Sequence, residues 1–249
     1  MPAAYPLRVA AWSEVPGLVH GFLGRAHGLP PGAFTTDDVR DALIRAGERP
    51  MRIAASRQVH AARVLSPDDL VADATVEDLP EGDAWVSASN DLVLTVRTAD
   101  CVPILLVAPR ARAVAAVHAG WRGALGGVIE AALSALRLRY DARADEISAA
   151  IGPAIDACCY AFGDEHSDAF AARFGPDVAS AWHRAPEPDG GTRLDLRAVC
   201  RLALERTGVA REAIHVVGPC TADHPDDLHS FRRDGPHAGR QLSYIGWNV

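Results

Sequence analysis

Hydrophobic and polar positions change their period several times along the chain, and each change predicts an element. Thr36 or Asp37 reads as the cap of a helix running to about Ala46, with Gly47 as its stop. Residues 51–55 read as a strand ending in Ser56-Arg-Gln-Val-His60, and residues 61–65 continue extended. The Gly/Pro-rich segment 28–32 is expected to be a loop, and the acidic, proline-punctuated residues 66–82 a long connection. Alternation over residues 92–97 predicts a strand. Residues 103–108 and 113–118 predict two more, joined by a turn at Pro109-Arg-Ala-Arg112. After Ala119-Gly-Trp-Arg-Gly123, apolar Leu125, Val128, Ile129, Ala132, Leu133 and Leu136 recur at helical spacing and predict one helix. A strand at 147–151 stopped by Gly152-Pro153, helices at about 164–174 and 197–207, a loop at 186–191 between them, and a late strand at 214–217 complete the pattern. Strands and helices are interleaved, yet short β–β connections sit among them. That favours an α+β fold with mixed sheets over a strictly doubly wound one.

Composition narrows the function classes. A chain of 249 residues with 49% hydrophobic content suits one larger domain, here taken as residues 1–249, or two small ones. No apolar run reaches the roughly 20 residues that a membrane span needs. The N-terminus lacks a basic stretch followed by an apolar core, so a cytoplasmic protein is expected. A net charge of −7 argues against a nucleic-acid or anionic-membrane surface. The chain contains no lysine, which removes P-loop, Schiff-base and lysine general-base chemistry. Five cysteines without a Cys-x-x-Cys pair argue against a disulfide framework, a zinc ribbon and a thioredoxin-type site. Cys158 and Cys159 read as packing residues in preference to ligands.

Two segments could carry chemistry: Thr98-Ala-Asp-Cys-Val-Pro103 and Val117-His-Ala-Gly-Trp-Arg-Gly123. Cys101 falls between two expected strands and His118 at the end of a third. Adjacent strand ends lie close together, so a thiolate and an imidazole could meet there and hold zinc. His60, at another strand–loop junction, offers a third ligand and leaves a fourth position open for water or substrate. Asp100 could orient a ligand or act as a general base. Arg122, near a helix N-terminus, could hold an anion. Each residue also has an ordinary structural role: Cys101 and Trp121 as core, Arg122 in a surface ion pair, Asp100 as a turn cap.

Together the segments resemble the laccase-domain family, bacterial YfiH-like proteins once called multicopper polyphenol oxidases and later described as purine nucleoside phosphorylases. The matching stretches are Gln58-Val-His-Ala61, Thr98 to Leu106, His118-Ala-Gly-Trp-Arg-Gly123, Ile151 to Tyr160, Leu194-Asp-Leu196 and Ser230-Phe-Arg-Arg-Asp234. The resemblance implies a layered α/β/β/α fold and one zinc per chain on His60, Cys101 and His118. It implies phosphorolysis of adenosine, inosine, guanosine or methylthioadenosine, with adenosine deamination as a second activity. Purine nucleoside and phosphate would be the partners, with Arg57, Gln58, Arg122 and Arg232 as candidates for binding them and Asp100 for assisting the leaving purine. Departures from the family pattern at His20-Gly-Phe-Leu-Gly-Arg25, after Tyr160 and at Cys220-Thr-Ala-Asp-His224 bear on substrate choice. Three other readings compete. A copper-dependent polyphenol oxidase would need many His-x-His pairs, of which there are none. A metal-free cysteine hydrolase would use Cys101 with His118 as its base, leaving His60 without a role. A non-enzymatic regulatory domain would need none of the three.

Overall fold

Strands that are apolar on both faces need cover on both sides, and that requirement sets the layering of this chain. The structure is a computed structural model that describes residues 5–32, 34–49, 52–71, 74–75, 77–184 and 191–248. Its strands are β1 (Leu18–Phe22), β2 (Arg52–Ala54), β3 (Val64–Leu65), β4 (Ala84–Ser87), β5 (Leu92–Thr98), β6 (Val102–Ala108), β7 (Ala113–Ala119), β8 (Ser148–Ile151), β9 (Trp182–Arg184), β10 (Thr192–Leu194), β11 (Ile214–Val216) and β12 (Gln241–Trp247). The α-helices are α1 (Thr36–Arg45), α2 (Trp121–Gly126), α3 (Val128–Tyr140), α4 (Ser167–Phe174), α5 (Leu196–Arg206) and α6 (Phe231–Asp234).

Two mixed sheets stack on each other. One has the order β1-β12-β5-β2 and the other β11-β8-β6-β7-β4-β3, while β9 and β10 form a separate ribbon. Both large sheets contain parallel and antiparallel pairs: β2 runs parallel to β5, and β3 to β4, beside antiparallel neighbours. Residues of β6 alternate between two cores, as a period of two demands. Leu105 and Val107 meet Leu92, Leu94 and Val96 of β5 and Trp247 of β12 in the space between the sheets. Ile104, Leu106 and Ala108 point the other way, into a core closed by Ile129, Leu133 and Leu136 of α3 and by Leu204 of α5. On the far side of the smaller sheet, Val39, Ala42 and Leu43 of α1 cover Val93, Leu242 and Tyr244. The architecture is therefore the expected mixed-sheet α+β arrangement in α/β/β/α layers. Among the described residues no helix is long and apolar enough to cross a membrane.

Several local expectations change. The expected helix through Leu125–Leu136 is two helices, α2 and α3, because Gly127 adopts φ 88° and ends the first. The cap of α1 is Thr35, whose side chain and that of Asp38 form a reciprocal capping box, one residue before the expected cap. Only Val64–Leu65 of the extended segment 61–65 pairs as a strand. Strands β1, β4, β9, β10 and β12 have no counterpart in the sequence reading. Met51 of the expected strand 51–55 and residues 186–190 of the expected loop lie outside the described residues.

Candidate metal centre

Three strand ends converge where the larger sheet meets the loop before β3. Cys101 occupies the bend between β5 and β6, a turn so tight that Asp100 adopts φ 86°. His118 lies on β7 opposite Pro103 of β6, on the same face as Ala116 and Val114 two and four residues earlier. His60 sits in the loop after β2 at φ 59°. Two of the four non-glycine residues with positive φ among the described residues thus belong to this one place, and such strain tends to collect at functional sites.

The three side chains meet. One ligand atom from each of His60, Cys101 and His118 lies within 4.8 Å of the other two. The Cys101 Sγ to His60 Nε2 distance is 3.8 Å, and the two imidazoles stand edge to face with centroids 4.8 Å apart. His118 is buried, Cys101 half-buried and His60 exposed, so the cluster opens toward solvent on one side. Gly120 makes room for it: a Cβ there would fall 2.7 Å from His60 Cδ2 and 3.1 Å from Cys101 Sγ. That close approach explains a glycine directly after Ala119.

Asp83 holds the cluster in place. Its fully buried carboxylate accepts hydrogen bonds from the backbone N–H groups of Val59 (3.1 Å), His60 (2.9 Å) and Ala61 (2.9 Å), and from His118 Nδ1 (2.8 Å). Its backbone carbonyl also accepts from His118 N. An ionised carboxylate only accepts, so the proton of His118 belongs on Nδ1 and Nε2 is left to face Cys101. Burial alone would raise the Asp83 carboxyl, but the bonds from His118, Ala61 and Val59 bring it below the usual range. Sequence reasoning offered Asp100 as a ligand orienter or a general base and missed Asp83. The signal for Asp83 was a lone acid between Gly82 and the apolar run Ala84-Trp-Val86. Asp100 instead accepts from Thr221 Oγ1 (2.6 Å) and Arg232 N (2.6 Å), fastening the C-terminal segment beside the cluster.

Electrostatics favour a thiolate even without an ion. Burial would raise the Cys101 thiol, but His118 and then His60 outweigh it and bring it down to about 6. His118 would be lowered by burial, yet Cys101 and Asp83 lift it to about 9. In metal-free protein, alkylation of Cys101 should therefore rise with pH through an inflection near 6, since the thiolate is the nucleophile. Peptide mapping of the alkylated residue checks this; an inflection at the ordinary thiol value of about 8.5 would remove the thiolate–imidazolium pair. A thiolate and two imidazoles at this separation are a donor set that suits zinc and leaves a coordination position open.

A cavity of about 460 Å³ lies against the cluster, within the range of small-ligand sites. Gln58, Asp100 and Arg232 line it together with the three candidate ligands, whereas Arg57 and Arg122 are not among the lining residues. Arg57 pairs with Glu81 at 2.9 Å, and the Arg122 guanidinium lies over the Trp121 ring. Gln58 is a strut: its amide bonds both the N–H and the C=O of Arg97. Arg232 donates twice to the Ala161 carbonyl and lies over the Tyr160 ring. Sequence reasoning missed two further cations of the wall, Arg97 and Arg240. Burial, and then the nearby Arg240 charge, lower the Arg97 guanidinium to about 9. Among the described residues neither arginine pairs with a carboxylate. Arg97 donates to the Ser56 carbonyl and stacks on Phe34, and Arg240 donates to the carbonyls of Ala238 and Gly239. Thr98 is also in the wall, and its Oγ1 is buried without a partner among the described residues.

Comparison with known proteins bears on this site. The profile of a family described as multi-copper polyphenol oxidoreductase laccase matches residues 36–248. A Deinococcus radiodurans protein named purine nucleoside phosphorylase is 32% identical over 241 residues, spanning 91% of this chain and 88% of its own. A protein from an unknown prokaryotic organism, named adenosine deaminase RL5, is 36% identical over 194 residues, 76% of this chain and 72% of that one. The crystal structure of YlmD from Geobacillus stearothermophilus superposes with a TM-score of 0.80 at 29% identity, covering 94% of this chain and 93% of that one.

Proposed function

Since the chain belongs to the multi-copper polyphenol oxidoreductase laccase family, we propose that it is a purine nucleoside phosphorylase working in the cavity beside His60, Cys101 and His118. The observation that carries this reading is one cavity that joins a His/Cys/His cluster to three arginines. Two guanidiniums that repel each other, neither paired with a carboxylate among the described residues, favour a dianion, and phosphate accepts paired charge-assisted bonds from such groups. The relatives named purine nucleoside phosphorylase support the same substrates.

Each part of the wall then has a task. Arg97 and Arg240, with Arg232 beside them, hold phosphate. Tyr160 and Phe231 supply aromatic surface for the purine. A phosphate oxygen forms a bond to the ribose anomeric carbon while the bond from that carbon to the purine nitrogen breaks. The electron pair leaves with the purine, which takes up a proton. Held by His60, Cys101 and His118, zinc would supply Lewis acidity against the negative charge that develops in this exchange. Asp83 keeps the His118 ring and the His60 backbone in place, and Asp100 keeps Thr221 and the Arg232 backbone there.

Hypoxanthine release from inosine is the test. The rate should fall to background when phosphate is omitted, and an unchanged rate would sink the phosphorylase reading. Arg240→Ala should raise the KM for phosphate about tenfold or more, the loss of one charge-assisted pair of about 1.5–3 kcal/mol, with a smaller effect on the KM for inosine. Equal effects on both constants would take Arg240 away from phosphate.

Adenosine deamination is the second reading, favoured by the relative named adenosine deaminase RL5. It would convert adenosine to inosine without consuming phosphate. A four-copper oxidase has less support: among the described residues the groups able to hold a metal contain two histidines in all.

A further inference from the structure

Cys158 and Cys159 do not pack into the core as the sequence suggested; Cys158 is exposed and Cys159 half-buried. They stand instead in a second cluster with Cys220 and Asp223, in which one ligand atom from each residue lies within 4.8 Å of all the others. Cys158 Sγ is 3.5 Å from Cys159 Sγ. The two thiols reach the two oxygens of Asp223 at 3.1 Å and 2.9 Å. Cys220 Sγ accepts from the backbone N–H of Asp156 at 3.4 Å. We propose that Cys158, Cys159, Cys220 and Asp223 form a second metal site that takes zinc as a closed, structural ion.

The backbone prepares this grouping. Cys159 N and Tyr160 N both donate to the Asp156 carbonyl and fold residues 156–160 into a turn that sets two successive thiols beside Asp223. Arg197 pins the Asp156 side chain, donating to its Oδ1 at 2.7 Å. A parallel bridge between Ala154 and Cys220, with Thr221 N donating to the Ala154 carbonyl, ties the second strand of the site to the first. Three sulfurs and one carboxylate oxygen are a tetrahedral zinc set with no place left for water, unlike the three-ligand cluster in the cavity. With zinc–sulfur bonds of about 2.3 Å, donors around one ion stand roughly 4 Å apart, so the short pairs of this cluster need to spread, and its widest to close, by about an ångström or less. Three thiolates and a carboxylate would exceed the charge of one ion. Arg233, which donates to the carbonyls of Thr221 and Ala222, lies beside them with its guanidinium already paired to Asp234, so the site would keep one or more of its thiols protonated or carry net negative charge.

A closed ion here would have a structural consequence for the cavity. Residues 154–160 carry Ile155 and Tyr160 of its wall, and Thr221 bonds Asp100 from the other strand. The ion would fasten the two to each other.

Cobalt(II) and zinc binding to the Cys101→Ala chain tests the proposal, because that variant has no thiolate left in the cavity cluster. One equivalent of tightly held metal is expected, with an intense sulfur-to-cobalt charge-transfer band and the strong visible bands of tetrahedral cobalt. Both should vanish when Cys158→Ser and Cys159→Ser are added. The milder Asp223→Asn change should weaken binding while keeping the band. In the unaltered chain, zinc should protect three thiols beyond Cys101 from labelling, which requires no substitution. Absence of a sulfur-to-cobalt band in Cys101→Ala, with those thiols labelled equally with and without zinc, would overturn the site. So would a mass two hydrogens lighter under native conditions, which marks a disulfide within the cluster.

Discussion

Replacing Cys101 with alanine is expected to abolish metal retention in the cavity and to lower inosine phosphorolysis by about three orders of magnitude. Several kcal/mol of transition-state stabilisation is what a positioned Lewis acid contributes, and about 4 kcal/mol corresponds to that factor. The sulfur is the only donor of the three that carries full negative charge when ligating, so two imidazoles alone should release the ion to a chelator. Stability should change little by comparison, because Cys101 is half-buried in a bend rather than packed in a core. Metal analysis after dialysis, initial rates and thermal unfolding on one preparation separate these effects. Full activity in Cys101→Ala would mean that the cluster is not the reacting site.

The second large effect belongs to Asp83. Asp83→Ala should cost about 3–5 kcal/mol of stability, the range for removing one member of a buried charged network. It leaves three backbone N–H groups and an imidazole N–H without their acceptor. Asp83→Asn is the sharper probe. Each carboxylate oxygen accepts from two N–H donors, so the asparagine NH₂ must point at a pair of N–H groups whichever way the amide turns. Stability should fall by about 1–3 kcal/mol. Metal affinity should fall about 10–100-fold, as when the partner of a ligating histidine is lost. Denaturant unfolding and a competitive chelator titration measure the two. An Asp83→Asn chain with unchanged metal affinity would show that Asp83 only braces the loop.

How far the sequence alone reached depended on whether a residue's task is local. The alternation in β5, the short apolar runs of β6 and β7 with a turn between them, and the helical spacing in α3 were legible because each is a pattern within one segment. Strand β12 was not: Gln241 and Ser243 are buried polar residues in it, and their partners are distant in sequence. The Gln241 amide bonds the backbone of His229, twelve residues earlier. In the candidate site, His118, Cys101 and His60 could each be suspected from a strand end or strand–loop junction, and the family resemblance singled the three out as one ligand set. Asp83 escaped because its meaning lies in a loop, residues 59–61, closing over it from more than twenty residues away. Arg97 looked like the polar position of an alternating strand; its neighbours Gln58, Phe34 and Arg240 come from elsewhere in the chain. Gly127 was read as an interior helix residue, whereas its left-handed conformation ends α2.

The most direct test of the account is the fate of the phosphorus atom. Zinc-loaded protein incubated with inosine and phosphate should be followed by phosphorus NMR, with hypoxanthine measured in parallel. One ribose 1-phosphate is expected for each hypoxanthine, and neither product from the Cys101→Ala chain. Hypoxanthine with free ribose and unconsumed phosphate, or turnover of adenosine to inosine with inosine itself left untouched, would contradict it.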